Sequence, residues 1–316
     1  MTSNLTRHNE MKMKSVYRSL LAFAAMCCIW SCSEKAFQEA EEFVSVSLNL
    51  AVEDIAGETK GTEPFIPDVE NLIYNVWVIQ YSNRGVYLTD TYFETGGVTE
   101  IRNKAVTLRT SDVCTLCLLV NAGPSPLGEE GWPDNLTSYK QKALFIDVND
   151  LERTMMPMNG FYQGAISSSS HTLNVALGRM MTRINIVINN RTGEEITELV
   201  ISLTDVPNKC SLFPSINYMV PDKSILPVLR DPLWGEESAV TLANEESKTY
   251  YYYIAPNMYG YNQPTRLYTT CKVGGIDMKA DMTLSDDSPA IPESERDYRL
   301  YPNNNYTFTI NLVNNE

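Results

Sequence analysis

Two stretches of strict period-two alternation bracket the body of this chain. Phe43–Val52, FVSVSLNLAV, puts Val44, Val46, Leu48, Leu50 and Val52 on one face and Ser45, Ser47 and Asn49 on the other. Asn305–Val313, NYTFTINLV, puts Tyr306, Phe308, Ile310 and Leu312 on one face and Thr307, Thr309 and Asn311 on the other. Successive side chains of a strand point to opposite sides of a sheet, so each stretch reads as a strand with one buried face. Further strands are predicted at 72–81, 86–93, 105–108, 113–120, 172–177, 183–189, 198–206, 250–255, 265–273 and 275–284. Ser82-Asn83-Arg84-Gly85 makes a hairpin turn, its Asn and Gly suited to positive φ. The run 113–120, VCTLCLLV, is nearly all apolar and is predicted to be central. The region 136–151 lacks alternation and predicts a short helix. The region 154–164, rich in methionine around Pro157, predicts a connecting segment. Short strands separated by turn residues, without a long amphipathic helix, define an all-β chain.

The N-terminal end is of another kind. Residues 11–32, MKMKSVYRSLLAFAAMCCIWSC, run from basic (Lys12, Lys14, Arg18) through an apolar stretch to Ser31-Cys32, and then turn polar. That order is a secretory signal, and its apolar stretch is too short to span a bilayer. Residues 1–10 carry no signal character, so Met11 or Met13 is a candidate start. Ile29-Trp30-Ser31-Cys32 resembles a lipobox. The resemblance implies cleavage before Cys32, acylation of its thiol, and a mature chain tethered to the outer membrane through lipid. The segment 33–42, SEKAFQEAEE, is a polar tether. Its acidic cluster reads either as a solvated linker or as a surface-export signal of the kind that follows lipidated cysteines.

Charge and composition exclude several function classes. The whole chain has a formal charge of −14, and the leader holds Arg7, Lys12, Lys14 and Arg18 against Glu10 alone, so the mature chain is more acidic still. Such a surface repels nucleic acid. Outside the leader the single histidine is His171, next to four serines, so zinc sites built on paired histidines are excluded and no Ser-His-Asp triad finds support. No phosphate-binding glycine loop is present. Cys114 and Cys117 have CxxC spacing, but on a strand they point to opposite faces, which favours core packing over a metal or redox site. A disulfide using Cys210 or Cys271 is open in an oxidising compartment, and the pairing cannot be read from sequence. Paired carboxylates such as Glu129-Glu130 and Glu245-Glu246 read as solvated faces. Tyr250–Tyr253 reads as two core and two surface rings. The expectation is a non-enzyme without catalytic, cofactor or metal site.

Several of these strands fall in an order that resembles the FimA-type fimbrillins, the lipoprotein-precursor subunits of type V pili. Val76 to Gly85, VWVIQYSNRG, is similar to their early hairpin. Leu177 to Ile186, LGRMMTRINI, resembles their L-x-R-x-x-(A/T)-(R/K)-(I/V) segment. Val200 to Phe213, VISLTDVPNKCSLF, resembles their strand and turn ending in Val-Pro…Phe. Tyr252 to Gly260, YYIAPNMYG, resembles a Y-x-x-E-N-x-x-G stretch, with Ala255-Pro256 where the family carries an acid. Tyr301 to Leu312, YPNNNYTFTINL, resembles the closing strand, with Pro302-Asn303 in place of a basic residue.

The length and the strand series, which breaks near Gly178, predict two tandem antiparallel β-sandwich domains, 43–178 and 179–316, after the signal peptide 1–31 and the lipidated tether 32–42, and the resemblance makes them transthyretin-like. The resemblance further implies assembly by strand exchange. A trypsin-like surface protease cuts in the loop 53–68, the first strand 43–52 leaves, and the groove takes a strand donated by another fimbrial subunit. Lys60, within GETKGTEPFIP, is the basic residue of that loop, so the cut is expected between Lys60 and Gly61. The elements exchanged are then Val44, Val46, Leu48, Leu50 and Val52 on one side and Tyr306, Phe308, Ile310 and Leu312 on the other. The alternative is a surface lipoprotein of the same build that does not polymerise and binds glycan or protein.

Overall fold

The computed structural model describes residues 42–53, 70–145, 155–167, 172–213, 223–224, 240–285 and 291–314. Cys32, Lys60, Gly61 and His171 lie outside the described residues. The first half comprises β1 (Phe43–Val52), β2 (Ile73–Ser82), β3 (Tyr87–Val98), β4 (Glu100–Arg109), β5 (Ser111–Val120), β6 (Ala143–Phe145), β7 (Met158–Ile166) and β8 (Thr172–Arg179). The second comprises β9 (Thr182–Arg191), β10 (Ile196–Thr204), β11 (Val206–Pro207), β12 (Lys209–Ser211), β13 (Lys223–Ser224), β14 (Val240–Leu242), β15 (Ser247–Ile254), β16 (Arg266–Val273), β17 (Ile276–Thr283) and β18 (Asn305–Val313). One short helix, α1 (Leu136–Lys140), is capped by Asn135, whose side chain accepts from the Ser138 amide at 2.8 Å. The all-β expectation holds.

The first half is a seven-stranded sheet in the order β3-β2-β5-β7-β8-β1-β4. β7 and β8 share only the pairs Met158↔Arg179 and Asn159↔Gly178, so the sheet nearly divides there into β3-β2-β5-β7 and β8-β1-β4. The inward residues of both parts meet in one hydrophobic core. Leu48, Leu50, Leu108 and Leu177 come from one side and Ile73, Val76, Leu116 and Leu118 from the other. β5 is central as predicted, paired with β2 and β7 and buried from Cys114 to Val120. The outer face of β2 is covered by the 123–145 segment, where the Tyr139 ring of α1 packs at a tilt against Tyr81 with centroids 5.6 Å apart and Trp132 meets Trp77 at 5.2 Å.

Against expectation, the region around Pro157 holds a full strand, β7. Its signal is hidden by Gly160 and Gly164. At Gly160 a Cβ would come within 2.6 Å of the Ala176 carbonyl oxygen, so only glycine lets β7 approach β8 where the sheet turns. The strand expected over 105–108 extends to Glu100, because Asn103 takes a positive φ of 52° and passes a bulge opposite β1.

The second half packs a three-stranded sheet, β15-β9-β18, against a four-stranded one, β14-β10-β16-β17. Ile184, Ile186 and Ile188 of β9 share a core with Ile201 and Leu203 of β10, Leu267 and Val273 of β16, and the apolar face of β18. Buried asparagines staple the loops. Asn121 accepts from the Tyr74 amide and donates to the Leu72 and Met156 carbonyls. Asn190 donates to the carbonyls of Glu194, Leu242 and Ala243. An amide satisfies several backbone groups without the desolvation cost of a buried charge.

Buried charge is concentrated where the halves meet. Glu70 ahead of β2 accepts a hydrogen bond from the Tyr253 hydroxyl of β15, and Arg179 and Arg183 both act on it electrostatically. Burial raises the Glu70 carboxyl above its ordinary range despite that bond and the two arginines. The folded state therefore holds the Glu70 proton more tightly than the unfolded chain. This group's contribution to stability falls as pH rises from about 4.5 through the raised value. Urea midpoints across a pH series test this. Glu70→Gln should match or exceed wild type at neutral pH and lose the alkaline-side decline, whereas Tyr253→Phe should cost about 1–3 kcal/mol by leaving the carboxylate without that donor. A Glu70→Gln protein weaker than wild type, with an unchanged pH slope, would contradict the assignment.

Candidate functional site: the two terminal strands

β1 is an interior strand. It pairs antiparallel with β4 (Val44↔Leu108, Val46↔Val106, Leu50↔Ile101) and parallel with β8 (Leu48↔Leu173, Leu50↔Val175, Val52↔Leu177). Val44, Val46, Leu48 and Leu50 are buried as the alternation predicts, and Val52 is half-buried. Each such side chain contributes roughly 1.5–3 kcal/mol on burial, before ordering costs. On the outer face Asn49 donates to Asn174 Oδ1 at 2.8 Å and accepts from the Asn103 amide at 2.7 Å, which fixes the register at the bulge. Taking β1 away would leave a slot with unpaired backbone on both walls and a stripe of core open to water.

One guanidinium holds the exit of this strand. Arg179, at the end of β8, donates through Nη1 to the Glu53 carbonyl oxygen at 3.0 Å and to Asn303 Oδ1 at 2.8 Å, and through Nη2 to Asn71 Oδ1. The Glu53 amide donates to the Leu177 carbonyl at 2.9 Å. Glu53 and Asn71 are the two roots of the 54–69 segment that contains Lys60, so both roots converge on Arg179. Asn303, with φ 55°, belongs to the turn that leads into β18, and its amide donates to the Met181 carbonyl. Sequence reasoning quoted Arg179 as part of a motif and missed this role. Its partners lie 108, 124 and 126 positions away, beyond any local pattern.

β18 lies at the edge of its sheet, parallel to β9 from Asn305↔Arg183 to Val313↔Arg191. Tyr306, Phe308, Ile310 and Leu312 are buried, and the Tyr306 and Phe308 rings lie nearly parallel with centroids 6.4 Å apart. The Tyr306 hydroxyl accepts from the Tyr301 amide at 3.0 Å, closing the turn ahead of the strand. Polar pairs run along the other face, with Asn185 donating to Asn305 Oδ1 and Thr307 Oγ1, and Asn189 to Asn311 Oδ1. Both sets of predicted residues thus sit in cores, but in different ones: β1 in the first half and β18 in the second.

The remaining candidates resolve as packing. Cys114, Cys117, Cys210 and Cys271 are free, buried thiols, and burial pushes Cys117 up to about 12, far from a reactive thiolate. Tyr250 and Tyr252 face the second core, while Tyr253 turns to Glu70. Among the described residues no group of three or more His, Cys, Asp and Glu is placed to hold a metal ion. No helix among them is long and apolar enough to cross a membrane.

No family model and no curated protein matches this chain. Solved structures do. A candidate cell adhesion protein from Parabacteroides distasonis is similar with a TM-score of 0.61 at 15% identity, over 85% of this chain and 88% of that one. A second, from Bacteroides eggerthii, gives 0.54 at 14% over 87% and 86%. The tip fimbrial protein Mfa3 from Porphyromonas gingivalis, with a C-terminal truncation, gives 0.53 at 14% over 87% and 97%. All three are described by adhesion or by the fimbria and none by a catalytic activity, and at these identities the likeness is one of fold.

Proposed function

We propose that this chain is a structural subunit of a cell-surface fimbria, exported as a lipoprotein through Cys32 and assembled by strand exchange after a cut between Lys60 and Gly61. The observation that carries the reading is β1, an apolar-faced strand interior to its sheet and joined onward through a segment whose two roots converge on Arg179. A cut in that segment leaves Glu53 with the departing strand and Asn71 with the body, so the body keeps its own ladder from β2 onward. The slot between β4 and β8 then offers backbone groups on both walls to a strand from another subunit, which is β-augmentation at its most favourable. The likeness of fold to fimbrial and adhesion proteins supports the same reading. On it, the two hydrophobic cores correspond to two β-sandwich domains, 43–178 and 179–316. The partners are a trypsin-like surface protease, neighbouring subunits and, through lipid, the outer membrane.

In a stalk or anchor subunit β18 leaves its own core to serve a neighbour. In a tip subunit it stays where the structure has it.

Three experiments test the reading. Metabolic labelling with a fatty-acid analogue should mark the wild-type chain and spare Cys32→Ala, and equal labelling of both would remove the lipoprotein claim. The surface-assembled form should begin at Gly61 on N-terminal sequencing, and Lys60→Ala should accumulate uncut and unpolymerised; normal polymer from that variant would place the site elsewhere. Deleting residues 305–316 separates the roles of β18. A stalk subunit should fold yet fail to join its neighbour, whereas a tip subunit should lose its second core and become protease-sensitive. Normal folding with normal assembly would rule out both.

A further inference from the structure

We propose that the cleft between the loop that follows β15 and the segment ahead of β18 binds a neutral oligosaccharide. The cleft has a volume of about 490 Å³, in the range of small-ligand sites and of the size of a short sugar chain. Tyr259, Tyr261, Asn262, Glu295, Asp297 and Arg299 line it. Tyr261 is 69% exposed, an unusual position for a ring of its size, and it leans at 6.0 Å on Tyr298, which is 1% exposed. An aromatic ring held in solvent over a buried one gains little within the chain. It presents a flat apolar face with polar groups at its margin, the arrangement that suits the C–H face of a pyranose.

The walls are preformed. Asn257, fully buried, donates to the Gln263 carbonyl at 3.0 Å and Thr265 Oγ1 at 2.9 Å, and accepts from the Tyr259 amide at 3.0 Å. Reciprocal backbone bonds between Asn257 and Leu300, at 3.0 and 2.9 Å, tie this loop to the opposite wall. Gly260, with φ +59°, lets the chain pass Arg299, whose Cγ a Cβ would meet at 3.3 Å. Asp297 accepts from Arg299 through both carboxylate oxygens, at 2.9 and 3.0 Å, and from the Tyr301 hydroxyl at 3.0 Å. A site whose groups are already fixed loses little entropy on binding.

Charge selects the ligand class. Among the described residues of the lining, Glu295 and Asp297 are balanced by Arg296 and Arg299, so these give no sign with which to draw an anion or a basic peptide. What it offers is a carboxylate and a guanidinium fixed by their mutual bonds, with the Asn262 amide, beside an aromatic face. Such groups form directional bonds with paired hydroxyls. The described lining contains no residue of β1, and one wall leads into β18, so the site is that of the unassembled chain, with β18 in its own core.

Calorimetry on the purified, unassembled full chain tests it, with lactose, maltotriose, mannotriose and chitotriose as neutral probes and sialyllactose and a lysine-rich peptide as charged ones. At least one neutral sugar should bind with a Kd below about 10 mM and the charged probes should bind more weakly. Tyr261→Ala should weaken that binding about tenfold or more while the thermal midpoint stays at the wild-type value. Failure of every neutral probe, preference for a charged probe, or undiminished binding by Tyr261→Ala would each overturn the proposal.

Discussion

Arg179 is the point on which the two ends of the folded chain depend. Its guanidinium sits at the end of β8, where the first core gives way to the second, and reaches the last residue after β1, the residue ahead of β2 and the turn into β18. A guanidinium is suited to this task, because its planar fork of donors serves several acceptors at fixed angles and stays charged when buried. Its burial is made tolerable by carbonyl and amide oxygens, and by the Glu70 carboxyl acting at longer range. The exit of β1, the entry to β2 and the turn into β18 therefore meet at one polar knot.

The junction between the halves draws on more than this knot. Apolar contacts make each half cohesive, and the connection between them is both apolar and polar: Cys210, Leu212 and Ala255 of the second half pack into the first core, β12 pairs with β6, and Tyr253 bonds Glu70 and Arg179 bonds Asn303. Ion pairs elsewhere, such as Arg102–Glu100 and Lys272–Glu198, are exposed and contribute little to cohesion.

Period two made most strands legible. β1, β15 and β18 each have one wet face, and their burial follows the alternation residue by residue. β5 was legible for the opposite reason, since a strand covered on both faces reads as a continuous apolar run. β7 was not, because Gly160, which lets it approach β8, and Gly164 erase the apolar pattern. Nor did sequence reveal that β1 and β18 each run parallel to a neighbour, since parallel partners are distant in the chain and leave no turn signature between them. The cleft beside Tyr261 was equally hidden. Its walls come from segments more than thirty positions apart, and what joins them is the backbone pairing of Asn257 with Leu300.

On the strand-exchange reading, the shape of the slot constrains how a donor enters. β8 begins at Thr172, opposite Ser47, so Val44 and Val46 are flanked by β4 alone among the described strands, while Leu48 and Leu50 are flanked on both sides. A donor of the β18 type carries two aromatic residues followed by two aliphatic ones. Run in the direction of β1, it sets Tyr306 and Phe308 opposite Leu108 and Val106, at the mouth, and Ile310 and Leu312 in the part that Leu48 and Leu50 occupy. Run the other way, it forces both rings between β4 and β8, where overpacking costs about 1–3 kcal/mol per site. While the tether is intact, β1 itself competes from within the chain at an effective concentration of about millimolar or more, which no dilute donor can match. Cutting the tether removes that advantage without altering the slot. Direction of entry then follows from the stretch of the slot that β8 flanks, and the order of events from the covalent state of the tether.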